Sequence, residues 1–341
     1  MSKSPEGLSP REGALSQVLI YHPELPTPPR PEDFRRSARA VMRALGLRPP
    51  GPVLLKPNIC IATEPELGVI SHPEFVRGIV DYLLDIGRPP AEIAVADGSA
   101  HDLRPAWRDL GYGPLADAGL RLFALNDDEP APITLRPGGP TLTLARSALP
   151  DSGNHVISVA KMRCHPMAVT TLTIKNMQGT ITPREARRLC AAWSQARTQV
   201  ASRRQAGETV SDEEARALEN IGLEAFAQAI CDVVSVIRPW LSIVEGIVGR
   251  DGSGFHEGRN IQANLVVAGQ DPVAVDAATS YLMGFDPADL IYLRVAAARG
   301  LGEARLSEIS VLELRDGQVF PASLDKFRIQ PPFRHATHRT A

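Results

Sequence analysis

The chain has 341 residues, 43% of them hydrophobic and 22% charged, with a formal net charge of −2. That length suits two domains or one large α/β domain with a sizeable core, and the near-neutral charge excludes a global pull toward nucleic acid or an acidic membrane surface. The four cysteines, Cys60, Cys164, Cys190 and Cys231, are scattered without a C-x-x-C pair, which excludes a zinc ribbon; with no apolar run of membrane-span length and no signal-peptide pattern, the expected location is the cytoplasm.

Residues 1–15 are expected to be disordered, and 16–180 to form a first α/β lobe. Residues 17–21 read as a strand. Residues 32–45 read as a helix, with Phe34, Ala38, Val41, Met42 and Leu45 at helical spacing. Residues 53–56 form a buried-type strand that ends in Lys56-Pro57-Asn58. Ser71-x-x-Glu74 is a capping box, with Pro73 in the first turn of a helix to about residue 84. Residues 93–96 are the next strand, ending in Asp97-Gly98-Ser99. This βαβ spacing predicts parallel neighbours with a right-handed crossover. A short helix over 103–110 and a strand over 120–124 follow. Residues 127–140 read as loop and 141–145 as an edge strand.

The most polar stretch is 156–179, VISVAKMRCHPMAVTTLTIKNMQG. It starts as a strand. If the chain stays extended past Ala160, Lys161, Arg163 and His165 share one face, because strand side chains alternate. A second β-branched run over 169–174 delivers Lys175, Asn176 and then Gly179, with Thr170, Thr171 and Thr173 supplying hydroxyls.

Residues 181–238 are expected to form a helical hairpin inserted into, or packed on, the sheet. Its first helix, 183–205, has an apolar stripe at Leu189, Trp193, Ala196 and Val200 and arginines elsewhere. Ser211-x-x-Glu214 caps the second. The arginines read as a solvated helix face. Without interleaved aromatic residues they do not make a nucleic-acid surface. A second α/β lobe spans 239–330. In it, 241–244 is a strand ending at Glu245-Gly246, 246–260 a glycine-rich loop, 262–268 a strand, and 272–283 and 288–298 helices. Asp316-Gly317 between two β-type runs predicts a hairpin. Residues 331–341 read as a loose tail.

The fold class expected is therefore α/β, with mainly parallel sheets flanked by helices and a cleft between two lobes. Lys56 with Asn58, Asp97 with Ser99, Lys161 with His165, and Glu245 all fall at or just past the carboxyl end of a predicted strand, where open α/β sheets bind ligands. His72 joins them at a helix N-terminus. Lysines beside helix N-termini and glycine-rich loops favour a carboxylate or phosphate. The glycine-rich loop matches neither a phosphate-binding P-loop nor a dinucleotide fingerprint, so no nucleotide, flavin or nicotinamide is expected. His72, His165, Asp97 and Glu245 are acceptable ligands for a divalent metal, although no fixed-spacing metal motif is present.

The segments VLLKPN (53–58), SHPEFVRGIVDYLLDIG (71–87), EIAVADGS (92–99), 156–179, VEGIVGRDGSGFHEGRN (244–260), DPVAVDAATSYLMGFDP (271–287) and LRVAAARGLG (293–302) occur in an order that resembles the family named domain of unknown function 362. The resemblance covers roughly residues 50–305. It implies site roles for Lys161, His165, Thr170, Thr171, Lys175, Asn176 and Gly179. The histidine that family members carry downstream of KN-x-x-G has no counterpart here; Trp193 lies nearby. The ferredoxin-type cysteine segment of many members is also absent, so no iron–sulfur role carries over. The motif order is distantly similar to the lactate racemase family as well, which implies a two-domain α/β enzyme acting on a small carboxylate.

These readings lead to an expected enzyme that handles a small anionic metabolite by isomerisation, elimination or a biosynthetic tailoring step. Lys161 and Lys175 would hold the anion, His165 would be the acid or base, and Glu245 or Asp97 the second proton-transfer group. Lys56, Asn58, His72, Ser99, Thr170, Asn176 and Gly179 complete the expected site. The alternatives are a non-catalytic protein that binds an anionic ligand or cofactor, and a metal-dependent redox enzyme. No membrane or nucleic-acid partner is expected, and a homodimer is the oligomer considered.

Overall fold

The computed structural model describes residues 16–99, 101–135, 141–182, 191–255 and 257–335. The expected disorder of 1–15 lies outside them. In chain order the main elements are β1 (Ser16–Tyr21), α1 (Pro31–Leu45), β2 (Val53–Pro57), α2 (Pro73–Asp85), β3 (Ile93–Asp97), α3 (Arg104–Asp109), α4 (Gly113–Asp117) and β4 (Arg121–Ala124). Then come β5 (Pro130–Thr134), β6 (Thr141–Ala145), β7 (His155–His165), β8 (Val169–Thr171), α5 (Thr173–Asn176), α6 (Ala191–Gln205) and α7 (Asp212–Val236). The chain closes with β9 (Leu241–Arg250), β10 (Asn260–Gly269), α8 (Pro272–Met283), α9 (Ile291–Ala298), β11 (Ile309–Arg315) and β12 (Gln318–Pro321).

One ten-stranded sheet runs in the order β12-β11-β1-β10-β9-β7-β2-β3-β4, with β8 folded back on the end of β7. The β11–β1, β9–β7, β7–β2, β2–β3 and β3–β4 pairings are parallel. The fold is thus α/β with a mainly parallel sheet flanked by helices. The segments 16–180 and 239–330, read as separate lobes, supply neighbouring strands of this one sheet: β9 lies beside β7, and β1 between β10 and β11.

Side chains alternate along the strands and serve two cores, as expected for a sheet covered on both faces. Val53, Leu55, Ile157 and Val159 face α1 and α2 and pack with Phe34, Met42, Phe75 and Ile79. Leu54, Val156, Ala160 and Met162 face the other way and pack with Phe226 and Ile230 of α7, Val275 and Leu282 of α8, and Tyr292 of α9. α1 and α2 approach closely at Gly78, where an added Cβ would overlap the carbonyl oxygen of Arg35.

Several local expectations need correction. The cap of α2 is His72, whose Nδ1 accepts from Glu74 N at 3.1 Å; Ser71 Oγ instead accepts from Asn58 N and donates to Val159 O. The region read as loop at 127–140 contains β5, which pairs with β6 in a separate two-stranded sheet; its Pro-Ala-Pro sequence hid the strand. The run 169–174 is strand only to Thr171, because Asp276 captures the N–H groups of Thr173 and Ile174 and turns the chain into α5. β9 does not stop at Glu245 but continues to Arg250. Gly246 and Gly249 lie inside the strand because Met162 and Phe333 occupy the space of their missing side chains. Residues 331–335 are docked rather than loose: Phe333 is fully buried and its N–H bonds Met283 O at 2.9 Å.

Most other expected strands and helices match the structure, and three local features do so in detail. Ser211 Oγ caps α7 by accepting from Glu214 N, α6 and α7 form the hairpin, and Asp316-Gly317 turns β11 into β12 with both residues at positive φ. The helix expected from residue 183 is described from Ala191 onward. Its arginines pair with acidic side chains of the hairpin, as in Arg203 with Glu208 and Glu214, and Arg204 with Asp212. No helix among the described residues is long and apolar enough to cross a membrane.

Candidate functional site

A cleft of about 290 Å³ opens at the carboxyl ends of β2, β3 and β7. It lies where open α/β sheets place ligands, because strand ends leave backbone groups and loop side chains facing outward. β2 delivers Lys56 and Asn58, β3 delivers Asp97 and Ser99, the β7–β8 hairpin delivers Arg163, His165 and Thr171, and α5 delivers Lys175 and Asn176.

Its floor is a buried network. Lys56 Nζ donates to Asp97 Oδ1 at 2.5 Å, to Asn176 Oδ1 at 3.0 Å and to Pro57 O at 3.3 Å. The second Asp97 oxygen accepts from Ile59 N at 2.6 Å. Asn176 Nδ2 donates to Lys56 O and to Ser158 Oγ, both at 3.0 Å. A carboxylate and an ammonium this deeply buried persist only because each is hydrogen-bonded as well as paired. Gly179 closes over them. An added Cβ there would stand 2.6 Å from Asp97 Oδ1 and 2.7 Å from Lys56 Nζ, so any side chain would displace the pair. Ser99, also buried, donates to Cys60 O.

The wall is cationic. Arg163 is 2% exposed; its Nη1 donates to Gly254 O at 3.1 Å and its guanidinium lies 4.2 Å from the Phe255 ring centroid. Burial alone pushes its pKa down. His165 Nδ1 accepts from Met167 N and Ala168 N, both at 3.2 Å. With Nδ1 occupied as an acceptor, the neutral ring carries its proton on Nε2. Burial first, then Lys175, Arg163 and His335, hold the His165 pKa well below the usual range. The pKa near neutrality expected of a proton-shuttling histidine is therefore not what this environment gives. Phe226 lies parallel to the imidazole at 5.8 Å and also sits 5.6 Å from Lys175 Nζ.

The wall depends on the glycine-rich segment. Gly254 has φ +74°, and a Cβ there would overlap the Cys164 carbonyl of β7. Gly254→Ala is expected to lift this segment, withdrawing Phe255 and the carbonyl that anchors Arg163. Quenching of a fluorophore attached at the half-buried Cys60, measured in the variant and the parent, checks the displacement; unchanged signal with unchanged stability would count against the packing argument.

Not all expected site residues meet here. Lys161 and Glu245 are fully buried, pair at 2.5 Å and do not line the cleft. Glu245 also accepts from Ile247 N at 3.1 Å and from His72 N at 3.4 Å. His72 stacks on Phe34 at 4.0 Å, and burial followed by Lys161 lowers its pKa to about 3. Thr170 faces the opposite core, bonded to Ser280 Oγ at 3.1 Å and Tyr292 Oη at 2.9 Å. The four candidate metal ligands are split, with Asp97 and His165 at the cleft and His72 and Glu245 in the interior. Among the described residues no group of three or more His, Cys, Asp or Glu could hold a metal. Phe255 and Phe226 were not expected at the site, and Arg163 was expected on the strand face without a site role of its own. The β7–β8 register sets Arg163 opposite Thr171, the hydroxyl whose site role the family resemblance implied.

A larger groove, about 830 Å³, runs between the turn after β7 and helices α7 and α9, lined by Met167, Ile221, Phe226 and Ile291 among others. None of its lining residues has a buried polar atom without a partner, whereas Asn58 Oδ1, Arg163 Nε and Thr171 Oγ1 of the smaller cleft all do. Polar chemistry converges on the smaller one.

Fold and cleft together define an α/β protein with a cationic cleft at the carboxyl edge of a mainly parallel sheet. A sequence model of the family described as "Domain of unknown function (DUF362)" matches residues 53–281, and the chain belongs to that family. It is similar to the "Thylakoid-associated protein sll1697" of Synechocystis sp. (strain ATCC 27184 / PCC 6803 / Kazusa), 25% identical over 283 residues, which cover 78% of this chain and 74% of the relative. No solved structure matches the chain.

Proposed function

We propose that this chain binds a small anionic metabolite, a carboxylate or a phosphate, in the cleft at the ends of β2, β3 and β7 and acts on it by acid–base chemistry. One observation carries the reading. Three residues of the cleft lining, Asn58, Arg163 and Thr171, each have a buried polar atom with no hydrogen-bond partner among the described residues. Four such atoms, on Arg88, Trp107, His155 and Ser242, lie away from the cleft, but only here do three meet in one lining, and a buried guanidinium with no carboxylate in hydrogen-bond contact is costly to leave unmet. An anionic oxygen would satisfy it. Arg163 and Lys175 then hold the anion. His165, neutral and carrying its proton on Nε2, donates to an oxygen that gains charge, as a neutral imidazole can in proton abstraction beside a carbonyl. The Lys56–Asp97 pair is the proton-transfer group within reach of the cleft; of the two carboxylates expected in that role, Glu245 and Asp97, Asp97 is the one that lines it.

Cys60 lines the same cleft and is partly exposed, so its alkylation reports occupancy. Small carboxylates or phosphate monoesters are expected to slow Cys60 alkylation, read by mass spectrometry. Arg163→Gln is expected to weaken that protection about tenfold or more, the scale of one charge-assisted hydrogen bond. Protection by neutral metabolites and by no anion would overturn the reading.

The locked neutral state of His165 also favours a second reading, a protein that binds the anion without transforming it. Turnover separates the two. In an enzyme, His165→Ala abolishes product formation and largely spares Cys60 protection; in a binder, no product forms across the metabolite panel even with the parent protein.

A further inference from the structure

The unpartnered atoms of the cleft differ in kind, and the difference specifies the ligand beyond its charge. Asn176 sets the argument. One of its side-chain ends faces the Lys56 carbonyl, which only accepts, and the other faces the Lys56 ammonium, which only donates. Its Nδ2 and Oδ1 are therefore fixed by chemistry. The Asn58 atom 3.4 Å from Asn176 Oδ1 must then be the Nδ2 donor. That leaves Asn58 Oδ1, an acceptor, as the atom without a partner. Arg163 Nε is donor-only, and Thr171 Oγ1 takes either role. Asn58 is 8% exposed, Arg163 and Thr171 2% each, so bulk water does not solvate these groups freely.

We infer that the ligand carries two functions: an anionic oxygen for Arg163 and a separate hydrogen-bond donor, a hydroxyl or an amine, for Asn58 Oδ1. The inference rests on the anion reading of the same cleft and narrows it to donor-bearing anions, such as hydroxy- or amino-substituted small carboxylates and phosphate esters. The cleft volume of about 290 Å³ suits molecules of that size. Asn58 is then the specificity residue, because a site built to accept a hydrogen bond rejects the analogue that cannot donate one. Arg163 contributes to every anion alike.

Matched pairs test this on the full chain by ligand-observed NMR titration: glycolate against acetate, 3-hydroxypropionate against propionate, and ethanolamine phosphate against ethyl phosphate. In at least one pair the donor-bearing member is expected to bind tenfold or more tightly than its partner. Asn58→Ala should bring that ratio to within about twofold of unity, while Arg163→Gln weakens both members of the pair by the same factor. Should Asn58→Ala fail to fold, the ratio in the parent protein decides alone. Equal affinities within every pair would overturn this inference and leave the anion reading standing. Absence of binding by any member would overturn the anion reading, and this inference with it.

Discussion

Replacing Lys161 with methionine is expected to destabilise the protein by about 3–5 kcal/mol, the scale for removing one partner of a buried ion pair. Lys161 and Glu245 are both fully buried and pair at 2.5 Å. The substitution leaves the Glu245 carboxylate in the interior with only the N–H groups of Ile247 and His72. Burial pushes the Lys161 pKa down while Glu245 pushes it back up, so the Lys161 charge depends on its partner. The double variant Lys161→Met with Glu245→Met removes both charges and is expected to recover most of the loss, since apolar replacement of a buried pair is often neutral or better. Denaturant unfolding of the single and double variants measures this. The same experiment bears on function: if Lys161 acted on a ligand, a well-folded double variant would lose turnover, whereas a structural pair predicts that it keeps it. Equal losses of stability in the single and double variants would refute the pair argument.

The second large effect concerns Asp276 and runs with pH. Asp276 is fully buried on α8 and accepts from Thr173 N at 2.8 Å, Ile174 N at 3.0 Å and the Thr173 hydroxyl. These bonds hold the turn from which α5 presents Lys175 and Asn176 to the cleft. Burial raises its pKa to about 7, against the lowering effect of those donors. An unfolded aspartate ionises near pH 4. Between about pH 4 and pH 7 the folded chain therefore binds a proton that the unfolded chain has lost, and stability falls as pH rises through that window. Above pH 7 both states are ionised and the slope from this group ends. Three pH units correspond to about 4 kcal/mol. His165 and His72 act in the opposite sense. Their folded pKa values are lowered, so their contribution is present above about pH 6.5 and is lost as pH falls below it. Asp276→Asn isolates the aspartate, because the two histidines are common to both proteins. The difference in unfolding free energy between parent and variant should shift by about 2–3 kcal/mol from pH 5 to pH 8. A constant difference would show that Asp276 ionises normally. Tyr292, which touches the same carboxylate, is held well above its usual range and stays neutral throughout.

Much of the framework was legible in the residues themselves. Val53–Pro57, Ile93–Asp97 and the start of β7 are short apolar runs that end in polar residues, and that pattern needs only local β-propensity and a ligand edge to be read. It brought Lys56, Asn58, Asp97, Ser99, His165, Lys175, Asn176 and Gly179 to one cleft. The extension of β7 past Ala160 to His165, on which the alternation of Lys161, Arg163 and His165 depends, was legible too. What alternation does not encode is how far along that face the covering elements reach. α1, through Phe34, and the start of α2, through His72, seal the Lys161 end, while the Arg163 and His165 end stays at the cleft.

The sequence by itself determined the fold class, the family and the polar strand ends, because these rest on periodicity and on motifs contiguous in the chain. Only the tertiary structure decided which charges line the cleft and which are paired in the interior. Glu245 and Lys161 are 84 positions apart, and Asp276 stands 103 positions from the Thr173 it fixes. Gly246 and Gly249 lie within a strand because Met162 and Phe333 fill the space beside them, partners the local sequence does not contain. Burial and pairing are properties of such long-range contacts. They separate a cleft whose lining has three hydrogen-bonding atoms without a partner among the described residues from one fully buried ion pair that does not line it.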